Sequence, residues 1–165
     1  MSLAVQCPGE ASQEALGARL AGLCSEFAVI YLMGDLGAGK TTLARGFLRG
    51  LGHAGVVKSP TYTLIEPYHP PRGRCFHLDL YRLSDPEELY FLGIDDLVEQ
   101  GWWLVEWPEH GVGWLPPADL EIRIEYCEAG RCLRLMGVSA VGQRVLAALA
   151  RERGRSCGVA DCQTW

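Results

Sequence analysis

No two cysteines in this chain are spaced C-x-x-C, although there are seven of them. Cys127 and Cys132, and Cys157 and Cys162, each lie five apart, and neither pair has histidines beside it in a zinc-ligand pattern. The count is odd, so reduced structural thiols in a cytoplasmic protein are expected rather than a disulfide framework. His53, His69, His77 and His110 show no ligand spacing either, and structural or solvent-facing roles are expected for them. Long apolar runs are missing. The longest, Phe27 to Met33, is far too short to span a bilayer, so no membrane partner is expected. Met1 to Glu10 has neither a basic start nor an apolar segment, so no secretory signal is expected. Positive charge is scarce: 15 Lys and Arg face 20 Asp and Glu, leaving a net charge of −5. That argues against nucleic-acid binding over the whole surface, because phosphate contacts need clustered cations. Internal repeats and low-complexity linkers are also lacking.

What remains is ordinary for a globular domain: 165 residues, 48% apolar and 21% charged. That length is one domain with a sound core. A single domain over residues 1–153 is expected. Arg153 to Trp165 carries no pattern, so residues 154–165 are expected to form a mobile tail.

The chain is organised around Gly34-Asp35-Leu36-Gly37-Ala38-Gly39-Lys40-Thr41, which fits G-x-x-x-x-G-K-[ST]. Glycines let a backbone take positive φ and approach an anion closely, and successive N–H groups then form a concave nest for phosphate oxygens. Lys40 supplies a point charge for the β- and γ-phosphates, and the Thr41 hydroxyl is a ligand for Mg²⁺. The context fits as well. Phe27 to Met33 reads as a buried parallel strand. Thr42 to Arg49 reads as a helix with Leu43, Phe47 and Leu48 on one face, its N-terminus towards the phosphates.

Before that motif, Leu3 to Cys7 reads as a short edge strand, and Ser12 to Ser25 as a helix with Ser12 at the N-cap. After it, Lys58-Ser59-Pro60-Thr61-Tyr62-Thr63 is polar and enters a strand over Leu64 to Tyr68. Its hydroxyls have the reach of a switch loop towards a γ-phosphate or its Mg²⁺; a plain turn fits the position equally well. Cys75 to Asp79 is an apolar run ending in a carboxylate, the form of a Walker-B strand. Asp85-Pro86-Glu87-Glu88 opens a helix. Trp102 to Glu106 repeats the apolar-then-acid form, with the tryptophans expected in the core. Parallel strands bring their C-terminal ends together, so Asp79 and Glu106 converge on the phosphate loop and compete for the metal role. Leu120 to Tyr126 alternates strictly, Glu128-Ala129-Gly130 turns, and Arg131 to Val138 returns, which reads as an antiparallel hairpin at the sheet edge. Ser139 to Glu152 is a last helix.

Four stretches taken together resemble the TsaE (YjeE) family, P-loop ATPases of bacterial tRNA threonylcarbamoyladenosine biosynthesis. They are Gly34 to Thr42, Lys58 to Leu64, Phe76 to Leu83, and Leu104 to Pro108; Asp85 to Leu89 is similar too. The resemblance runs from about Pro8 to about Leu149. It implies an α/β P-loop fold with a mixed, mainly parallel sheet and helices on both faces. It implies ATP binding at Leu36, Gly37, Ala38, Gly39, Lys40 and Thr41, with further contacts from Glu10 and Arg131. Mg²⁺ would be held by Thr41 and Glu106. Lys40, Asp79 and Glu106 would carry catalysis, and Ser59 and Thr61 would belong to the loop near the γ-phosphate. The implied partners are the TsaB and TsaD proteins, with tRNA reached indirectly through that complex, whose reaction modifies adenosine 37 of tRNAs reading codons that begin with adenine. Hydrolysis is expected to be slow in isolation, because no in-cis arginine finger is identifiable: Arg82 follows the Walker-B strand, but nothing in the sequence places it at the γ-phosphate.

Two other functions share the loop. A small-molecule kinase needs an acceptor pocket and usually an arginine-rich lid, and no lid-like insertion is present. A guanine-nucleotide switch usually carries an N/T-K-x-D base-reading motif, and this chain has none.

Overall fold

The computed structural model describes residues 1–156 and 163–164, with side chains through residue 154. Eight strands form one sheet in the order β3-β4-β5-β2-β6-β7-β1-β8. They are β1 (Ser2–Cys7), β2 (Val29–Met33), β3 (Ile65–Tyr68), β4 (Cys75–Asp79), β5 (Trp102–Glu106), β6 (Leu120–Cys127), β7 (Gly130–Gly137) and β8 (Gln163–Thr164). The centre, β4-β5-β2-β6, is parallel, and β3, β7 and β1 pair antiparallel. The helices are α1 (Glu10–Leu23), α2 (Lys40–Gly50), α3 (Glu88–Phe91), α4 (Ile94–Leu97) and α5 (Ala140–Ser156).

Strand alternation sends side chains to two cores. Ile30, Leu32 and Leu104 pack with Leu16 and Leu20 of α1, Leu43 and Phe47 of α2, and Leu146 and Leu149 of α5. Val29, Phe76, Trp103 and Val105 pack on the other face with Leu89 of α3 and Ile94 of α4. The helices α1 and α2 touch almost backbone to backbone: a Cβ on Gly17 would collide with the Leu43 carbonyl, and one on Gly46 with the Glu14 carbonyl. Asp119 ties β2 to the last helix. Its Oδ2 accepts the Val29 N–H at 2.8 Å, and its Oδ1 accepts the Ser139 hydroxyl. Ser139 in turn caps α5, its Oγ accepting from the N–H of Val141 at 3.1 Å and of Gly142 at 3.3 Å.

Several details differ from the sequence-based expectations. The hairpin β6–β7 forms, but it is not itself the edge, because β1 and β8 lie beyond β7. β1 is likewise flanked on both sides. Helix α1 begins at Glu10 with Gly9 at the N-cap. Ser12 sits inside the first turn, its Oγ donating to the Gly9 carbonyl at 2.7 Å and accepting the Gly9 N–H at 3.1 Å. Asp85 precedes a helix of only one turn, its Oδ1 accepting the Glu87 N–H at 3.0 Å. Helix α5 runs to Ser156, past Glu152, and Gln163–Thr164 pair with Val5 and Gln6. The rest of the expected mobile tail, residues 157–162 and 165, lies outside the described residues, as does the Cys157 and Cys162 spacing. Among the described residues, no helix is long and apolar enough to cross a membrane.

Candidate functional site

The phosphate-type loop joins β2 to α2 at the C-terminal end of the parallel strands. Gly34, Gly37 and Gly39 have φ of 148°, 77° and 104°, values that side chains rarely adopt. A Cβ on Gly34 would stand 2.5 Å from the Ile124 carbonyl oxygen. Gly39 is the N-cap of α2, and no side chain caps that helix. Its first N–H groups are therefore offered to an anion, with the positive end of the helix behind them.

Lys40, only 4% exposed, donates through Nζ to the carbonyls of Gly34 at 2.6 Å and Asp35 at 2.9 Å. The same ammonium lies 4.1 Å from the centre of the Trp107 ring. Burial lowers its pKa, and the neighbouring carboxylates of Glu106, Asp79, Glu109 and Asp35 oppose that shift. The loop is braced from behind. Gln13 is buried in α1 and donates to the Ala38 carbonyl at 3.1 Å. Arg131 of β7 donates to that same carbonyl at 3.2 Å and stacks over Tyr126, whose hydroxyl reaches the Leu36 carbonyl at 3.2 Å.

Asp79 and Glu106 end neighbouring parallel strands in register, on the face that carries α2. Each carboxylate gathers hydroxyls. The Thr41 Oγ1 donates to Glu106 Oε1 at 2.8 Å, and the buried His77 Nε2 meets that oxygen at 2.8 Å. Asp79 Oδ2 accepts from Ser59 and, at 3.0 Å, from Thr61, while Oδ1 accepts the Tyr81 N–H at 3.0 Å. The Thr41 hydroxyl and Glu106 carboxylate are adjacent oxygens of the kind a hard divalent cation takes. Among the described residues no group of three or more His, Cys, Asp and Glu side chains is arranged to hold a metal alone. That donor set fits Mg²⁺, which is usually held by one or two carboxylates together with substrate phosphates.

A cavity of about 530 Å³ opens over this floor. Of the residues singled out in the sequence, Glu10, Leu36, Gly37, Gly39, Lys40, Thr41, Ser59, Thr61, Asp79, Glu106 and Arg131 line it. Ala38 does not; it is buried beneath the loop, and its carbonyl is the anchor for Gln13 and Arg131. Sequence reasoning missed Gln13, Tyr81 and Trp107, which also line the cavity together with Tyr62 of the loop over residues 58–63, and left Arg82 unplaced. Arg82 is on the cavity wall, 4.6 Å from the Tyr62 ring centre. Trp107, one residue past β5, turns into the cavity with φ of 57°. Of the structural or solvent-facing roles expected for the histidines, His77 excludes the second: it is fully buried, and its partner is a site carboxylate. The alternation in Cys75-Phe76-His77-Leu78-Asp79 puts His77 on the face of Asp79, and Gln13 lies one helical turn after Glu10, so both had a sequence signal.

Comparison with known proteins shows the family and the fold. The family model described as "Threonylcarbamoyl adenosine biosynthesis protein TsaE" matches residues 7–133. The chain is 49% identical over 123 residues to the tRNA threonylcarbamoyladenosine biosynthesis protein TsaE of Haemophilus influenzae, covering 74% of this chain and 78% of that one. It is 43% identical over 117 residues to the Bacillus subtilis protein of the same name, covering 70% and 72%. The crystal structure of Bacillus subtilis YdiB superposes with a TM-score of 0.77 at 28% identity, over 93% of this chain and 95% of that one.

Proposed function

This chain belongs to the TsaE family, and on that premise we propose that it is a Mg²⁺-dependent ATPase serving threonylcarbamoylation of adenosine 37 in tRNA. In this reading it acts on the TsaB–TsaD complex in the cytoplasm. The observation that carries the reading is the meeting of Lys40, Thr41 and Glu106 at the mouth of an uncapped helix N-terminus.

The loop N–H groups and Lys40 bind the β- and γ-phosphates, Lys40 exchanging its loop carbonyls for phosphate oxygens. Thr41 and Glu106 would hold Mg²⁺, which supplies Lewis-acid polarisation of the phosphoryl oxygens. Asp79, fixed by Ser59, Thr61 and the Tyr81 N–H, orients the groups at the γ-phosphate end. Gln13 and Arg131 keep the loop closed on its ligand by holding the Ala38 carbonyl. Tyr62 and Arg82 form an exposed pair at the cavity wall. Net charge of −5 disfavours independent tRNA binding, so the partner complex holds the tRNA.

The test is multiple-turnover threonylcarbamoylation by TsaB–TsaD with this chain, with and without ATP. Sustained product formation that requires both is expected. Turnover indifferent to this chain would refute the accessory role. Phosphate appearing on an added small-molecule acceptor rather than in solution would favour a kinase.

A further inference from the structure

The His77 imidazole is fully buried, and among the described residues its hydrogen-bond partner is the Glu106 carboxylate, at 2.8 Å from Nε2. Its Nδ1 is buried without a hydrogen-bond partner. A carboxylate oxygen accepts, so Nε2 carries a proton and donates to Glu106. An orphaned buried nitrogen is unfavourable, and an apolar side chain of similar size would avoid that cost. Packing alone therefore does not explain a histidine here, whereas a directed donor to Glu106 does.

The geometry adds a second reason. Glu106 Oε1 receives two donors, Thr41 from the front and His77 from the neighbouring strand. The proposed metal would draw the Thr41 hydroxyl and Glu106 together as ligands. A ligand hydroxyl gives its lone pair to the cation, and the rear donor then fixes the carboxylate. We infer that His77 is a positioning residue: it holds Glu106 in the orientation that binds Mg²⁺. This deepens the proposed function and rests on it. Groups behind a ligand commonly tune metal affinity by roughly ten- to a hundredfold.

Two near-isosteres separate this role from packing. The Gln amide nitrogen falls close to the position of Nε2, and the Asn amide nitrogen close to that of Nδ1. His77→Gln therefore restores a donor to Glu106, and His77→Asn does not. The probe is a fluorescent ATP analogue, bound first in EDTA and then across a Mg²⁺ titration. Expected for His77→Asn and His77→Leu is unchanged affinity in EDTA with the Mg²⁺ midpoint raised about ten- to a hundredfold, and for His77→Gln a midpoint within about threefold of wild type. Equal midpoints in wild type and His77→Asn would overturn the inference. Equal losses in His77→Gln and His77→Asn, or loss of binding already in EDTA, would assign His77 to folding alone. Wild-type protein that binds no nucleotide would overturn the proposed function itself, a result distinct from either.

Discussion

Thr41 Oγ1 donates to Glu106 Oε1 across 2.8 Å, linking the first turn of α2 to the last residue of β5. The two residues are far apart in sequence and adjacent only because the parallel strands end at one level. Under the proposed function this contact divides the labour of the site: the loop and Lys40 would address the phosphates, and the strand-end carboxylates the metal and the reacting end.

Lys40→Ala removes the one ammonium held against the loop. Loss of such a charge-assisted contact costs about 1.5–3 kcal/mol, or roughly ten- to more than a hundredfold in ATP affinity. Titration calorimetry of the folded variant checks it. Unchanged affinity would contradict the assignment of the cavity.

Proton linkage offers a second check on the same residue. Burial lowers the Lys40 pKa, and phosphate oxygens beside the ammonium favour its charged form. ATP binding at alkaline pH should therefore take up protons. Calorimetry in buffers of different ionisation enthalpy should show a buffer-dependent heat at alkaline pH. The dependence should vanish in Lys40→Met.

Glu106→Gln should lower kcat/KM by about 10²–10³, since a neutral amide replaces charge where the transition state needs it fixed. Asp79→Asn should act mainly on kcat, because Asp79 organises Ser59 and Thr61 rather than Thr41. A Mg²⁺ titration of both variants distinguishes them. Wild-type behaviour of Glu106→Gln would remove it from the metal site.

Ser59 and Thr61 reach the Asp79 carboxylate through their hydroxyls, contacts that a γ-phosphate is able to exchange, while the end of the loop is held by the Asp79 N–H donating to the Leu64 carbonyl at 3.0 Å. ATP should then strengthen docking on TsaB–TsaD relative to ADP, and Thr61→Ala should shrink that difference. Binding measured with ATP, ADP and no nucleotide checks this; equal affinity in all three states would remove the switch.

Much of this was legible in the sequence for identifiable reasons. The loop is local, its glycines are set by φ, and two apolar runs each ending in an acid, with parallel strands ending together, put Asp79 and Glu106 at one end of the sheet. What was not legible depends on tertiary geometry. The αL turn at Trp107, which brings its ring to Lys40, has no local signal, because a non-glycine residue at φ of 57° is uncommon. On the cavity wall Arg82 meets Tyr62, which comes from another segment of the chain. The position of β1 inside the sheet depended on β8, whose two residues carry no pattern. Gly46 read as an ordinary helix residue, yet it is where α1 meets α2.

That contact makes a stability prediction. Gly46→Ala overfills the α1–α2 contact, at a cost of about 1–3 kcal/mol. The melting temperature should fall by roughly 2–12 °C. An unchanged melting temperature would mean that the helices part easily.

Buried thiols make the fold sensitive to alkaline pH. Burial pushes Cys24 up from 9.0 to about 12 and Cys7 up to about 11. A raised folded-state pKa contributes stability that is full below pH 9 and lost as pH rises through about 11 to 12. Lys40, lowered by burial, has the opposite sign. Thermal melts from pH 7 to 11 should show falling stability above pH 9, with a shallower slope in Cys24→Ala.

The most direct measurement is phosphate release from ATP with Mg²⁺ and TsaB–TsaD present and no acceptor added. The account predicts turnover that is slow for the isolated chain, raised by the partner complex, dependent on Mg²⁺, and abolished in Lys40→Ala. Equal phosphate release by wild type and a correctly folded Lys40→Ala would contradict it.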